Sequence, residues 1–166
     1  MPKTQNVGAA ATTIVNAEDR ELAPAERLRI QADALYRAAC ECSHQQERAA
    51  RLSSEPGVAA ERKLARQMCN LAATALGEMA AAYERAAARY QPAGPEIWWR
   101  RANILWLAAR EYQFHHQGCD EISQQLDNHD PGLLSELHME YELAASALLA
   151  MRQAADGYRK ARDASA

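Results

Sequence analysis

Apolar side chains recur every three or four positions through four long stretches of the chain, which is the period of an amphipathic α-helix. The stretches run over about 18–52, 58–90, 95–127 and 133–162. Short runs rich in Ser, Pro, Gly, Asn or Asp separate them and are typical of turns. The pattern predicts four helices. Because proline is tolerated only in the first turn of a helix, Pro24 places the regular start of the first one near Ala23.

The predicted helices are long and their connections are short. About 30 residues at 1.5 Å per residue gives roughly 45 Å for each helix, and short connections make consecutive helices antiparallel. We therefore expect an all-α fold, an antiparallel up-down-up-down four-helix bundle formed by residues 19–166 as one domain. Residues 1–18 lack periodicity and are expected to form a flexible N-terminal arm.

The composition supports this fold class. The chain contains 37 alanines, whereas Ile, Val and Thr together number only 12 of 166 residues, too few for a substantial sheet. A core rich in alanine lets helices approach closely. On the inner face of the third helix we place Ile97, Ile104, Leu105, Ala108, Tyr112, His115, Cys119, Ile122 and Leu126. On that of the fourth we place Leu134, Leu137, Tyr141, Ala144, Ala145, Leu148, Met151 and Ala155.

Charge and motifs narrow the classes of function. The net charge is −3 and no run is strongly basic, which argues against a nucleic-acid partner. No apolar stretch approaches the ~20 residues of a membrane span, so no membrane association is expected. Four cysteines without a disulfide framework favour a cytoplasmic protein with reduced thiols. The chain lacks the common catalytic motifs, which favours a non-enzymatic protein, although a site between helices that leaves no motif stays open.

A second apolar stripe distinguishes the third helix. Trp99, Trp106, Leu107 and Phe114 lie roughly opposite its predicted inner face. A helix that is apolar on two faces is usually covered on both. Three covers are possible: the N-terminal arm, a partner protein or a second copy of the chain. Since large aromatic patches mark interfaces, we expect these four residues to form one, most simply in a homodimer; a wider core contact is the alternative.

Thiol, imidazole and thioether groups are expected at one level of the bundle. When the four helices are aligned by their breaks, His115, Cys119, Cys42 and Met68 lie near one another. Such soft ligands suit Zn²⁺ or Cu(I). The alternative is ordinary core packing, in which His115 bonds a polar neighbour such as Tyr141.

An acidic, histidine-rich segment forms the third candidate site. No Lys or Arg occurs from Glu111 through Met151. The i,i+4 spacing of its His–acid pairs can place both members on one helix face. The segment can serve as a divalent-metal site, a docking patch for a basic partner or a pH-sensitive tip, or it is simply a solvated end. The pairs that define this patch are His116 with Asp120 and His138 with Glu142.

Two hypotheses of function follow from these patterns. The first is a non-enzymatic helical-bundle scaffold, adaptor or assembly subunit that acts through protein–protein contacts and needs no cofactor. The alternative is a bundle that binds Zn²⁺ or Cu(I) at the interior Cys/His site.

Overall fold

The computed structural model describes residues 22–94, 96–126 and 130–165. Within these ranges the chain forms four α-helices and no strand, as the sequence predicts. Helix α1 spans Pro24–Ser53, α2 spans Ala59–Ala87, α3 spans Ile97–Gln125 and α4 spans Pro131–Asp163. The predicted arm, residues 1–18, lies outside the described residues.

The helix ends follow from local chemistry. Pro24 opens α1, where its missing amide hydrogen costs no helical hydrogen bond. Gly57, in the turn before α2, has φ 81°, a backbone conformation that favours glycine. Pro131 opens α4, and the carboxylate of Asp130 caps it by accepting a hydrogen bond of 2.9 Å from the amide of Gly132.

The helices pack as an antiparallel up-down-up-down four-helix bundle. α1 packs mainly on α2 and α3 mainly on α4, so the molecule consists of two helical hairpins. Fewer contacts join α2 to α3 and α1 to α4, and α1 also touches α3 across the diagonal. The two hairpins therefore meet through a smaller surface than the one inside each hairpin.

Alanine and a few large side chains share one core to which all four helices contribute. Small residues let the helices approach closely, and larger ones fill the remaining space. No described helix is long and apolar enough to cross a membrane. The largest fully buried side chains are Tyr83, Tyr112, Tyr158, Leu28, Leu35, Leu76, Leu105, Met151 and Cys42.

Buried tyrosines tie the two hairpins together. The hydroxyl of Tyr83 on α2 donates to Asn103 on α3 at 2.7 Å. The hydroxyl of Tyr158 on α4 donates to Asp33 on α1 at 2.9 Å. The hydroxyl of Tyr112 on α3 accepts a hydrogen bond of 2.6 Å from the side-chain amide of Gln46 on α1. Each bond joins a pair of helices with few other contacts, so these polar groups specify how the hairpins dock.

Candidate functional site

The predicted second stripe of α3 divides into two parts in the structure. Trp99 and Trp106 are half-buried and pack against the core, and the Trp99 ring lies 6.3 Å from that of Tyr90. Leu107 and Phe114, in contrast, are 59% and 70% exposed. Of the four residues predicted to form an interface, Leu107 and Phe114 are thus exposed in the single chain, whereas the two indoles make the wider core contact that was the alternative. The tryptophans lie at the flank of α3, where neighbouring side chains cover them.

Two residues that we placed on the inner face of α3 are exposed. Ile97 is 66% exposed and Ile104 is 46% exposed, so that prediction is wrong for both. The buried face is instead centred on Leu105, about 80–100° around the helix from them. The buried residues of α3 are Trp98, Ala102, Leu105, Ala109, Tyr112, His115 and Cys119.

These corrections define an outer face on α3 with its own apolar seam. Ile97, Ile104, Leu107 and Phe114 follow one another at intervals of seven, three and seven residues, which is the spacing of a helix that packs lengthwise on another helix. In the structure all four residues are exposed, from 46% for Ile104 to 70% for Phe114. We call this set the outer seam of α3.

Charged residues beside the outer seam change sign along the helix. Arg100 and Arg110 lie in the first half of α3 and are exposed. Glu111 and Glu121 lie in the second half and are also exposed. The outer face of α3 is therefore basic toward its N-terminal end and acidic toward its C-terminal end.

His115 joins α3 to α4 through carboxylates. Its Nδ1 lies 2.7 Å from a carboxylate oxygen of Glu140 on α4, and its Nε2 lies 3.3 Å from one of Glu111. The hydrogen bond to Glu140 raises the pKa of His115, and burial opposes this effect. Gly118 leaves room for the pair, since a Cβ there would lie 3.3 Å from the Glu140 carboxyl group. The predicted neighbour of His115, Tyr141, is exposed instead.

Bonding to carboxylates makes the contribution of His115 to stability depend on pH. The contribution is complete below the unfolded pKa of about 6.5 and disappears as the pH rises through the raised folded value. We expect His115→Gln to lower the urea midpoint more at pH 5.5 than at pH 9. His138→Gln is the matched control, because His138 makes a similar i,i+4 pair but its side chain is 77% exposed. Equal losses at both pH values for His115→Gln would rule out an ionic role.

The predicted metal ligands are not assembled into a site. His115 is bonded to the two glutamates, and Cys119 is buried one turn further along α3. Burial raises the pKa of the Cys42 thiol to about 11, against a smaller opposing effect of the Tyr112 hydroxyl. Met68 is half-buried on α2. Over the described ranges, no group of three or more His, Cys, Asp or Glu side chains could hold a metal ion.

The predicted acidic and histidine-rich patch consists of two separate pairs in the structure. His116 and Asp120 approach to 3.8 Å, and the ring of His116 stacks on Tyr112 with centroids 5.6 Å apart. His138 and Glu142 approach to 3.3 Å, with both side chains exposed. The i,i+4 pairs therefore form as the spacing predicts. The first pair, however, lines a groove in the bundle, and the second lies on the open surface of α4.

That groove, of about 760 Å³, lies between the last turns of α1 and the middle of α4, and all four helices line it. It exists because every buried residue of α4 lies at or after Ala147, so the first half of this helix fills none of the core. The sequence did not predict the groove, because the apolar pattern of α4 was interpreted as packing along the whole length of the helix. The lining includes Gln46, Ala49, Cys69, Tyr112, His116, Cys119, Tyr141, Ala145, Leu148 and Arg152.

The groove and the outer seam of α3 are two surfaces that offer apolar contact, and exposed apolar side chains also lie on other helices, such as Leu71 on α2 and Leu149 on α4. The groove mixes thiols, aromatic rings and charged groups and has the volume of a small-ligand pocket. The outer seam is a line of apolar side chains with charged residues beside it, which suits another helix. No protein-family model, curated protein or solved structure matches this chain.

Proposed function

We propose that this protein is a non-enzymatic assembly subunit, a helical bundle that acts through protein–protein contacts made by the outer seam of α3. The observation that carries the proposal is the exposure of Phe114 and Leu107 on a helix whose opposite face is fully buried. A helix with apolar residues on both faces is usually covered on both. Exposed aromatic and aliphatic side chains in one line are typical of an interface.

The simplest partner is a second copy of the chain. Most soluble oligomers are homo-oligomers with a two-fold axis, in which one surface meets itself. A cytoplasmic location suits this proposal, since all four cysteines are free in the structure.

Metal binding through the interior Cys/His site stays a prediction of the sequence. It gains no support from the described residues, among which no group of three or more His, Cys, Asp or Glu side chains could hold a metal ion. We therefore place the contact function first.

We expect Phe114→Asp to convert a dimer into a monomer, because a carboxylate would be buried without a partner at the centre of the interface. Sedimentation velocity at micromolar concentration measures the change. Phe114 is 70% exposed in the single chain, so helicity by circular dichroism should be retained.

Leu71→Asp is the matched control for this experiment. Leu71 lies on α2 and is 64% exposed, close to the value for Phe114. The proposal predicts that this variant remains a dimer. If both variants dissociate equally, or neither does, the outer seam of α3 is not the interface.

A further inference from the structure

The outer face of α3 is complementary to itself when one copy is reversed. Leu107 lies three residues before Arg110, and Phe114 lies three residues after Glu111. Arg100 and Glu121 lie ten residues to either side of the same two positions. Reversing the helix about the Arg110–Glu111 bond therefore exchanges Leu107 with Phe114 and each of these basic positions with an acidic one, whereas Ile97 and Ile104 exchange with Gln124 and Gln117.

The same reversal keeps these residues on one face. At 100° per residue, the positions of Leu107 and Phe114 lie within about 20° of each other, opposite the buried Leu105. Those of Arg100 and Glu121 lie about 30° to either side of that line. All the exchanged residues are exposed on the single chain. The symmetry in sequence is thus also a symmetry on the uncovered surface.

We propose that two copies pair through α3 in antiparallel orientation, around a two-fold axis that passes between Arg110 and Glu111. Leu107 then packs on Phe114 of the partner subunit. Arg100 faces Glu121 of the partner subunit across the seam, once at each end of the contact. This inference rests on the proposed contact function and adds the identity, orientation and register of the partner.

Charge selects this arrangement over its alternatives. A parallel pair of α3 helices would place the basic halves together and the acidic halves together, and like charges facing each other disfavour association. An antiparallel pair places Arg100 of each chain near Glu121 of the partner subunit. From Arg100 to Glu121 the helix extends for about 32 Å, long enough for a lengthwise helix contact.

Charge reversal at the ends of the seam tests the register. Arg100→Glu and Glu121→Arg should each raise the dimer dissociation constant by roughly tenfold or more, since each change creates two repulsive pairs in the symmetric dimer. The two positions are about 32 Å apart on one helix, so neither can compensate the other within a chain. An equimolar mixture of the two variants should form heterodimers with an affinity within about threefold of wild type, because both pairs between the chains are attractive again.

Arg85→Glu is the matched control for net charge. Arg85 is exposed on α2 and should leave the dissociation constant unchanged. Native mass spectrometry resolves homodimers from heterodimers of the two variants. Failure of the mixture to recover affinity would overturn the antiparallel register.

These experiments distinguish the antiparallel register from the proposed contact function of the outer seam. If Phe114→Asp dissociates the dimer but neither charge reversal weakens it, the contact function stands and the register is wrong. If the wild-type chain is monomeric, both are wrong.

Discussion

Replacing Leu105 with alanine is expected to lower the free energy of unfolding by about 2–5 kcal/mol. Leu105 is completely buried at the centre of the inner face of α3. Truncation removes its apolar contacts and leaves a cavity that close-packed neighbours fill only in part. Urea denaturation at a concentration where wild type and variant have the same oligomeric state measures the difference.

Leu107 provides the matched control for Leu105. The two leucines lie on the same helix, yet Leu107 is 59% exposed. Leu107→Ala should change the stability of the single chain by less than about 0.5 kcal/mol. The same substitution should weaken the dimer, since Leu107 belongs to the outer seam. Equal destabilisation of the fold by the two variants would show that α3 has no distinct inner and outer faces.

Removing the hydroxyl of Tyr158 should loosen the docking of the two hairpins. Tyr158→Phe deletes the bond between α4 and Asp33 on α1, a hydrogen bond to a charged group that is worth about 1.5–3 kcal/mol. We expect the lower end of this range, because the Asp33 side chain is 39% exposed and keeps Arg162 at 3.4 Å. Thermal and urea unfolding of the variant measure the loss.

Tyr141→Phe is the control for that substitution. Tyr141 is on the same helix but is 55% exposed, so loss of its hydroxyl should change stability by less than about 0.5 kcal/mol. A Tyr158→Phe variant as stable as the control would mean that the buried hydroxyl does not hold the hairpins together.

The periodicity of the chain was sufficient to predict the helices and the bundle. The signals are local: four stripes of apolar residues, the proline at position 24 and the turn around Gly57. Each one determines the structure of its own segment of the chain. The observed helices begin and end within a few residues of the predicted positions wherever the structure describes them.

The sequence predicts that each helix forms better than it predicts which face of that helix points into the core. The apolar pattern alone placed Ile97 and Ile104 in the core, because a helical wheel does not show which of two apolar faces of a helix meets the core. It also placed Trp106 outside, although the flank of α3 is covered in the bundle. Rotation of a helix by less than a quarter turn decides these assignments, and packing between helices sets that rotation.

The partner of His115 and the groove depend on how two helices meet, which a single-helix pattern does not contain. Glu140 was predicted only as part of an acidic segment, and its neighbour Tyr141 was expected in the core. The alternation of charge along α3, in contrast, is visible in the sequence. Its relation to an interface can be recognised only once the exposed face of α3 is known.

Native mass spectrometry of the untagged 166-residue chain shows whether a second copy covers the outer seam of α3. We expect a particle of twice the 18.4 kDa chain mass that dissociates when Phe114 is replaced by aspartate. A monomer at concentrations of tens of micromolar, with helicity intact, would rule out the dimer, because the outer seam of α3 would then remain uncovered by a second copy.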